Sequence, residues 1–293
     1  MALPPTTPMS RSCKVLHLEP TDVCNLACPL CARETDTNFT QHKQNHLTVE
    51  QVYSAVGHKF IQNLDKMFMC GNYADPAAGQ HTVRIYEYFR SINPTITLGM
   101  NTNGSLRTTN YWQELGEDIL NQPLDYVVFS IDGLADTNHI YRRGAVWDKI
   151  VENAEAFIKA GGSAHWDMLV YKHNQHQVDS AEQLAKSLGF KWFRAKVSKR
   201  PYINGLEFPI SWQSPVQESG AIDCIALKEQ SVYIDAQGRT SPCCWLGSTQ
   251  TDFVTMEQVQ ETWNNNPHPV CRATCSTNNN SFVNQWQRAV ELC

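Results

Sequence analysis

Cys24, Cys28 and Cys31 stand in one short loop, Cys24-Asn25-Leu26-Ala27-Cys28-Pro29-Leu30-Cys31, at C-x3-C-x2-C spacing. Three thiolates on so short a loop can converge on one point and hold three corners of a cubane iron–sulfur cluster. The fourth iron then lacks a protein ligand and can bind a substrate or cofactor directly. Ferredoxin spacings supply four cysteines instead. Zinc sites usually pair C-x2-C knuckles or add histidines, and only Cys28 and Cys31 form such a knuckle.

A second cysteine group lies near the end of the chain. Cys224 and Cys243 follow a C-x13-G-x4-C pattern with Gly238 inside it, Cys244 follows at once, and Cys271 and Cys275 come later. Residues 231–235 alternate like a strand, and 236–239 read as a turn whose glycine permits the tight bend. Residues 256–264 look like a short helix ended by Pro267 and Pro269. Four thiolates from separated segments can complete a cluster with no open iron; they would also suit tetrahedral zinc. Cys13, Cys70 and Cys293 remain, and free cysteine is commonly a small buried hydrophobe.

The elements that must position these groups alternate. Strand-like runs at 14–21, 66–71, 95–101, 126–132, 164–171 and 191–197 are separated by amphipathic runs at 48–63, 80–91, 109–120, 147–160 and 177–188. Thr48 with Gln51 fits a capping box, and Gly161-Gly162 and Gly189 stop two later helices. Such alternation argues for a parallel sheet covered by helices. The predicted fold is α/β: a partial (β/α)6 TIM-like barrel followed by a small cysteine-rich auxiliary-cluster domain of β-hairpin and helix. Its divisions are a tail at 1–12, the barrel at 13–200, a bridge at 201–222 and the auxiliary domain at 223–293.

Sites in such barrels sit at the C-terminal strand ends, and unusual polar residues cluster there. Strand two leads into Gly71, Asn72, Asp75 and Pro76, and strand three into Asn101 and Asn103. Strand four leads into Ser130 and Asp132, then Arg142 and Arg143. A guanidinium can pair bidentately with a carboxylate, so one of the two arginines is a candidate clamp. His165, Asp167 and Tyr171 share one face of strand five, where His165 and Asp167 are candidate catalytic groups. Lys191, Arg194, Lys196, Lys199 and Arg200 form a local basic group; it reads as a solvated strand end, with phosphate or carboxylate binding as the alternative.

The first loop resembles the signature of the radical S-adenosylmethionine (SAM) superfamily, with Leu30 where the family often has an aromatic. The resemblance implies a [4Fe-4S] cluster whose open iron chelates SAM. It also implies reductive cleavage of SAM to a 5'-deoxyadenosyl radical that takes a hydrogen atom from substrate. The segment at Gly71 resembles the family's glycine-rich "GGEP" stretch, which receives the amino group of SAM. Here Asn72 replaces the second glycine, and Asp75-Pro76 stands two residues later. Asn101, Asn103, Ser130, Asp132 and an arginine match segments that contact the SAM ribose and carboxylate.

The cysteine tail resembles SPASM/Twitch extensions, the single-cluster Twitch form best. That implies a second [4Fe-4S] cluster on Cys224, Cys243, Cys271 and Cys275, with Cys244 the rival of Cys243. A second cluster suits oxidation, by accepting an electron from a substrate radical. Cys70 could return a hydrogen atom, as cysteines do in the family's peptide epimerases. The implied partners are a peptide or small polar metabolite and a flavodoxin- or ferredoxin-type reductant. Cys24 comes too early for a peptide-recognition domain before it, which weighs against a leader-peptide maturase. The alternatives are a small-molecule dehydrogenase or epimerase of natural-product synthesis and a non-catalytic metal-binding regulatory module.

Composition narrows the classes. With 24 Lys and Arg against 29 Asp and Glu, the net charge of −5 gives no basic surface for nucleic acid. No apolar run reaches membrane-spanning length, and residues 1–10 lack the apolar core of a signal peptide. Eleven cysteines without a secretion signal predict metal or redox chemistry in the cytoplasm rather than a disulfide framework.

Overall fold

A computed structural model of the chain describes residues 13–35, 44–197, 206–207, 221–247, 255–276 and 286–292. The expected tail at 1–12, most of the bridge at 201–222, Lys199, Arg200 and Cys293 lie outside the described residues. Six strands run parallel and pair in chain order: β1 (Val15–Leu18), β2 (Lys66–Met69), β3 (Thr97–Thr102), β4 (Tyr126–Ser130), β5 (Ala164–Val170) and β6 (Trp192–Val197). The helices between them are α1 (Ala32–Thr35) and α2 (Val49–Gln62), α3 (Thr82–Ile92), α4 (Thr109–Glu114), α5 (Asn138–Tyr141) and α6 (Trp147–Lys159), and α7 (Val178–Leu188). This is a mixed α/β fold of the partial-barrel type.

The sheet does not close. Strand β7 (Ser231–Ile234) joins parallel to β1, and the short β8 (Thr240–Ser241) pairs antiparallel with β7. At the other edge β9 (Trp286–Glu291) runs antiparallel to β6. The cysteine-tail hairpin therefore extends the barrel's own sheet, and both barrel edges are covered. The tail adds α8 (Ile225–Lys228), α9 (Cys244–Gly247), α10 (Met256–Trp263) and α11 (Pro269–Cys275).

Local chemistry explains the elements. Thr48 and Gln51 bond each other's backbone N–H, as a capping box requires, at 3.2 and 2.8 Å. α2 is broken at Gly57, whose φ of 68° and ψ of 167° are not helical. Beyond Glu114, α4 loosens into a π turn over Leu115–Ile119. Outward strand residues such as Leu16, Met67, Leu98, Phe129, Trp166 and Phe193 are buried in one core with the helices.

The inner face is different. Paired positions across β7, β1, β2, β3 and β4 place Tyr233, His17, Phe68, Gly99 and Tyr126 in one row. His17 stacks on Phe68 at 4.5 Å and meets Tyr233 edge-on. Tyr126 stacks on His165 at 5.4 Å. Gly99 makes the space for Tyr126, since a Cβ there would fall 2.4 Å from its ring. Rings thus fill the lumen at the strand starts and leave room only at the C-terminal ends.

Candidate functional site

A cavity of about 510 Å³ opens at those ends. Cys24, Cys28 and Cys31 line it from the loop after β1. Gly71, Asn72 and Asp75 enter after β2, Asn101 and Asn103 from β3 and its loop, and Ser130, Asp132 and Arg142 after β4. Cys70, Asp167 and Lys196 also face it.

The cysteine loop is tied to each neighbouring loop. Asn103 Nδ2 donates to Asn25 Oδ1 at 2.9 Å, and Asn25 Nδ2 donates to Ser105 Oγ at 3.0 Å. Arg33 bonds the carbonyls of Asp22 and Tyr73 at 2.6 and 3.0 Å. Ala27 N donates to the Arg143 carbonyl at 3.0 Å. The thiols meet donors and acceptors as well: Leu26 N and Asn103 Nδ2 approach Cys24 Sγ at 3.4 and 3.9 Å, and Cys31 Sγ approaches the Asn72 carbonyl at 3.6 Å. Burial pushes the Cys24 thiol up to about 12, with Asp75 adding to the rise. Burial also raises Cys28, against the pull of Arg142.

Among the described residues, no three His, Cys, Asp or Glu side chains gather closely enough for a single metal ion. A cubane spreads its irons and takes thiols spaced around a volume. Three thiols on one cavity wall, with N–H donors aimed at sulfur, fit such a cluster.

The other loops serve different ends. Gly71 allows a tight turn, because a Cβ there would lie 2.1 Å from the Ala74 carbonyl oxygen. Asp75 is 3% exposed. Its carboxylate accepts from Ala77 N at 2.9 Å, Thr102 Oγ1 at 2.9 Å and Asn103 N at 2.6 Å. The acidic group expected to receive the amino group of SAM therefore staples the loops after β2 and β3 together. Asp132, 0% exposed, accepts from Arg142 Nε and Leu169 N, both at 2.6 Å. Arg142 is thus held at the cavity, while Arg143 is exposed and meets the cysteine loop through its carbonyl alone among the bonds described.

On β5, Asp167 is held bidentately by Arg194 at 2.6 and 2.8 Å. Burial raises its pKa and Arg194 opposes the rise. His165 lies at the start of β5 against Tyr126, at the ring-filled end of the lumen and outside the cavity lining. Burial pushes its imidazole down to about 4. Tyr171 follows the end of β5, where the alternation stops, and packs between Tyr141 and His173. Cys70 remains on the cavity wall, and burial pushes its thiol up to about 12. Lys196 is not part of a solvated strand end: it lies half-buried on the lumen wall.

Cys224, Cys243, Cys271 and Cys275 line one small pocket among Leu246, Met256 and Val259. Cys275 is raised to about 12 by burial and by the other three thiols. Cys244 is absent from that lining and interacts with Cys70 and Glu19 instead. Its carbonyl accepts from Asn72 Nδ2 at 2.9 Å. Trp245 and Thr274 line both the small pocket and the large cavity.

Sequence reasoning passed over Asn25, Arg33, Glu19, Trp245 and Thr274. Arg33 and Asn25 lie within or beside the cysteine loop, which is a usable signal. Nothing local marks Trp245 or Thr274, because only packing brings them to the barrel mouth.

Residues 18–185 match the family model of the Radical SAM superfamily. The chain belongs to the radical SAM superfamily. Among solved structures this radical SAM chain is similar in fold to Streptococcus suis SuiB (TM-score 0.60, 13% identity), covering 87% of this chain and 66% of that one. It is also similar to anSMEcpe with bound AdoMet (TM-score 0.58, 16% identity), covering 82% of this chain and 75% of that one. The likeness extends to SuiB bound to precursor peptide SuiA and to anSMEcpe with AdoMet and the Cp18Cys peptide, with TM-scores of 0.60 and 0.55, 13% and 17% identity, 87% and 78% of this chain, and 65% and 73% of those chains. The chain spans just under two thirds of the SuiB chains. No curated protein matches it in sequence. Among the described residues, no helix is long and apolar enough to cross a membrane.

Proposed function

We propose that this radical SAM enzyme acts on a peptide or a small polar metabolite and modifies it oxidatively. The observation that carries the reading is the meeting of three cysteines with the ends of β2, β3 and β4 on one cavity. Bound there, a [4Fe-4S] cluster and SAM supply the electron and the 5'-deoxyadenosyl radical that abstracts hydrogen. Cys24, Cys28 and Cys31 hold the cluster, while the N–H groups of Leu26 and Asn103 offset charge at sulfur. The turn at Gly71 to Asp75 presents backbone carbonyls to the amino group of SAM. Asn101 and Ser130 face its ribose. Arg142, oriented by Asp132, meets its carboxylate. The rings at the strand starts keep water out of the lumen.

Residues 223–293 act in this reading as a Twitch-type domain, with Cys224, Cys243, Cys271 and Cys275 on an auxiliary [4Fe-4S] cluster that accepts the substrate's electron. A flavodoxin- or ferredoxin-type protein of the cytoplasm supplies the reductant. A peptide substrate is favoured because two similar folds carry peptides, SuiA in SuiB and Cp18Cys in anSMEcpe. Cys70 on the cavity wall supports a second reading, an epimerase in which its thiol returns the hydrogen atom.

The test counts iron and acid-labile sulfide after anaerobic reconstitution, alongside 5'-deoxyadenosine formed with SAM and dithionite. Wild type should hold about eight irons, and the Cys24→Ala/Cys28→Ala/Cys31→Ala variant about four, with 5'-deoxyadenosine lost. About four irons in wild type and none in the variant would remove the auxiliary cluster. No iron in either would end the radical reading and leave a binding module.

A further inference from the structure

The two walls of the cavity differ in charge. On the cysteine-loop wall, Asp132 is paired with Arg142 beside Cys28. The carboxylate of Asp75 is committed to Ala77, Thr102 and Asn103. On the opposite wall, β5 and β6 place Asp167 beside Arg194 and Leu169 beside Lys196 by register. Both oxygens of Asp167 accept from Arg194. Asp167 and Asp132 attract Lys196 through space, yet each is hydrogen-bonded to its own arginine. The β5–β6 wall therefore carries two cations and one carboxylate, with Lys196 on the cavity lining.

Lys196 is half-buried. An ammonium group removed from water is costly without a counter-charge. The same end of the cavity is bounded by Trp245, Ala273 and Thr274 of the cysteine tail. These residues make a compartment with one cation, one aromatic face and one hydroxyl, set apart from the cysteine loop.

We infer that this compartment receives a carboxylate of the substrate, with Lys196 as its cation and Trp245 as the apolar wall beside it. The inference rests on the proposed function, which assigns the opposite wall to SAM. A single excess positive charge matches a monoanion; a phosphate dianion is commonly met by several donors or a guanidinium fork. The carboxylate of SAM itself has Arg142 at its own wall, so Lys196 is left for the second reactant. A peptide with an acidic side chain near the reacting carbon, or a free amino acid, has the required chemistry.

The test uses anaerobically reconstituted, SAM-loaded full-length protein. The probes are N-acetyl-glutamate N-methylamide, its neutral glutamine isostere and inorganic phosphate, titrated calorimetrically. Saturable binding of the glutamate amide, about tenfold tighter than the isostere or phosphate, is expected. Lys196→Met should weaken it by about tenfold, and Lys196→Arg should retain most of it. Equal binding of glutamate and glutamine amides, no saturable binding, or indifference to Lys196→Met would overturn the inference. Tighter phosphate binding would overturn the choice of carboxylate. Loss of SAM affinity in Lys196→Met, with the glutamate probe unaffected, would move Lys196 to the cofactor and equally overturn it. If wild type binds the probe through Lys196 but neither holds iron nor cleaves SAM, the proposed function fails and the anion site stands.

Discussion

Asp132 shows how one side chain can hold several parts of the site. One carboxylate oxygen accepts from Arg142 Nε and the other from Leu169 N. Its own N–H donates to Asn138 Oδ1, and its carbonyl accepts from Asn174 Nδ2. Replacing the carboxylate by an amide turns one acceptor into a donor facing either Arg142 or the Leu169 N–H. It also leaves the guanidinium without its ion-pair partner. Asp132→Asn should therefore destabilise the protein by about 3 kcal/mol, read as a shift in the urea midpoint. SAM affinity should fall with it, because Arg142 loses its orientation. An unchanged midpoint would mean that the pair adds little to stability.

Gly57 interrupts α2, which sequence patterning predicts as continuous. In an ordinary helix, Gly→Ala stabilises by about 1 kcal/mol. Here φ is 68° and a Cβ would meet nothing within 4 Å, so backbone strain alone decides the sign. Gly57→Ala should destabilise by about 1 kcal/mol, with thermal unfolding as the measurement; stabilisation would show that an unbroken helix is preferred. The hairpin of β7 and β8 makes a related point. Its alternation is visible in sequence, but its place beside β1 is not. The pairing of Val15 to Leu18 with Ser231 to Ile234 covers an edge that would otherwise expose unpaired backbone groups.

The interior gives the protein a characteristic pH response. Burial pushes His17 and His165 down to about 4 from an ordinary 6.5. Each gains its proton on unfolding, so each makes stability rise with pH between about 4 and 6.5. Glu19 works the other way. Burial raises it to about 7 from 4.5, although Tyr233 and Tyr73 donate to it. The folded state keeps its proton longer, so this group lowers stability as pH rises from about 4.5 to 7. Glu19→Gln removes the opposing response. Its stability relative to wild type should grow by roughly 3 kcal/mol over that interval, measured by urea unfolding at several pH values. A constant difference would mean that Glu19 titrates normally.

The strand–helix order, the cysteine loop and the polar strand ends are local patterns, and each is legible in the chain. Spacing alone brings Cys24, Cys28 and Cys31 onto one loop, and period-two alternation sets Asp167 on the inner face of β5. The division of labour among neighbours needed three-dimensional packing. Arg142 and Arg143 are equivalent in sequence, and only the Asp132 carboxylate separates them. Cys243 and Cys244 are adjacent, and only the direction of α9 separates the pocket-facing thiol from the one beside Glu19. Asp75 looks like a ligand until the N–H groups that occupy it are seen. His165 shares a strand face with Asp167 but sits two residues nearer the closed end, where rings replace the cavity. Trp245 and Thr274 carry no local signature, because their role depends on contacts between segments far apart in the chain. Spacing records which groups one loop or strand can bring together; contacts from distant segments determine the partners each group meets.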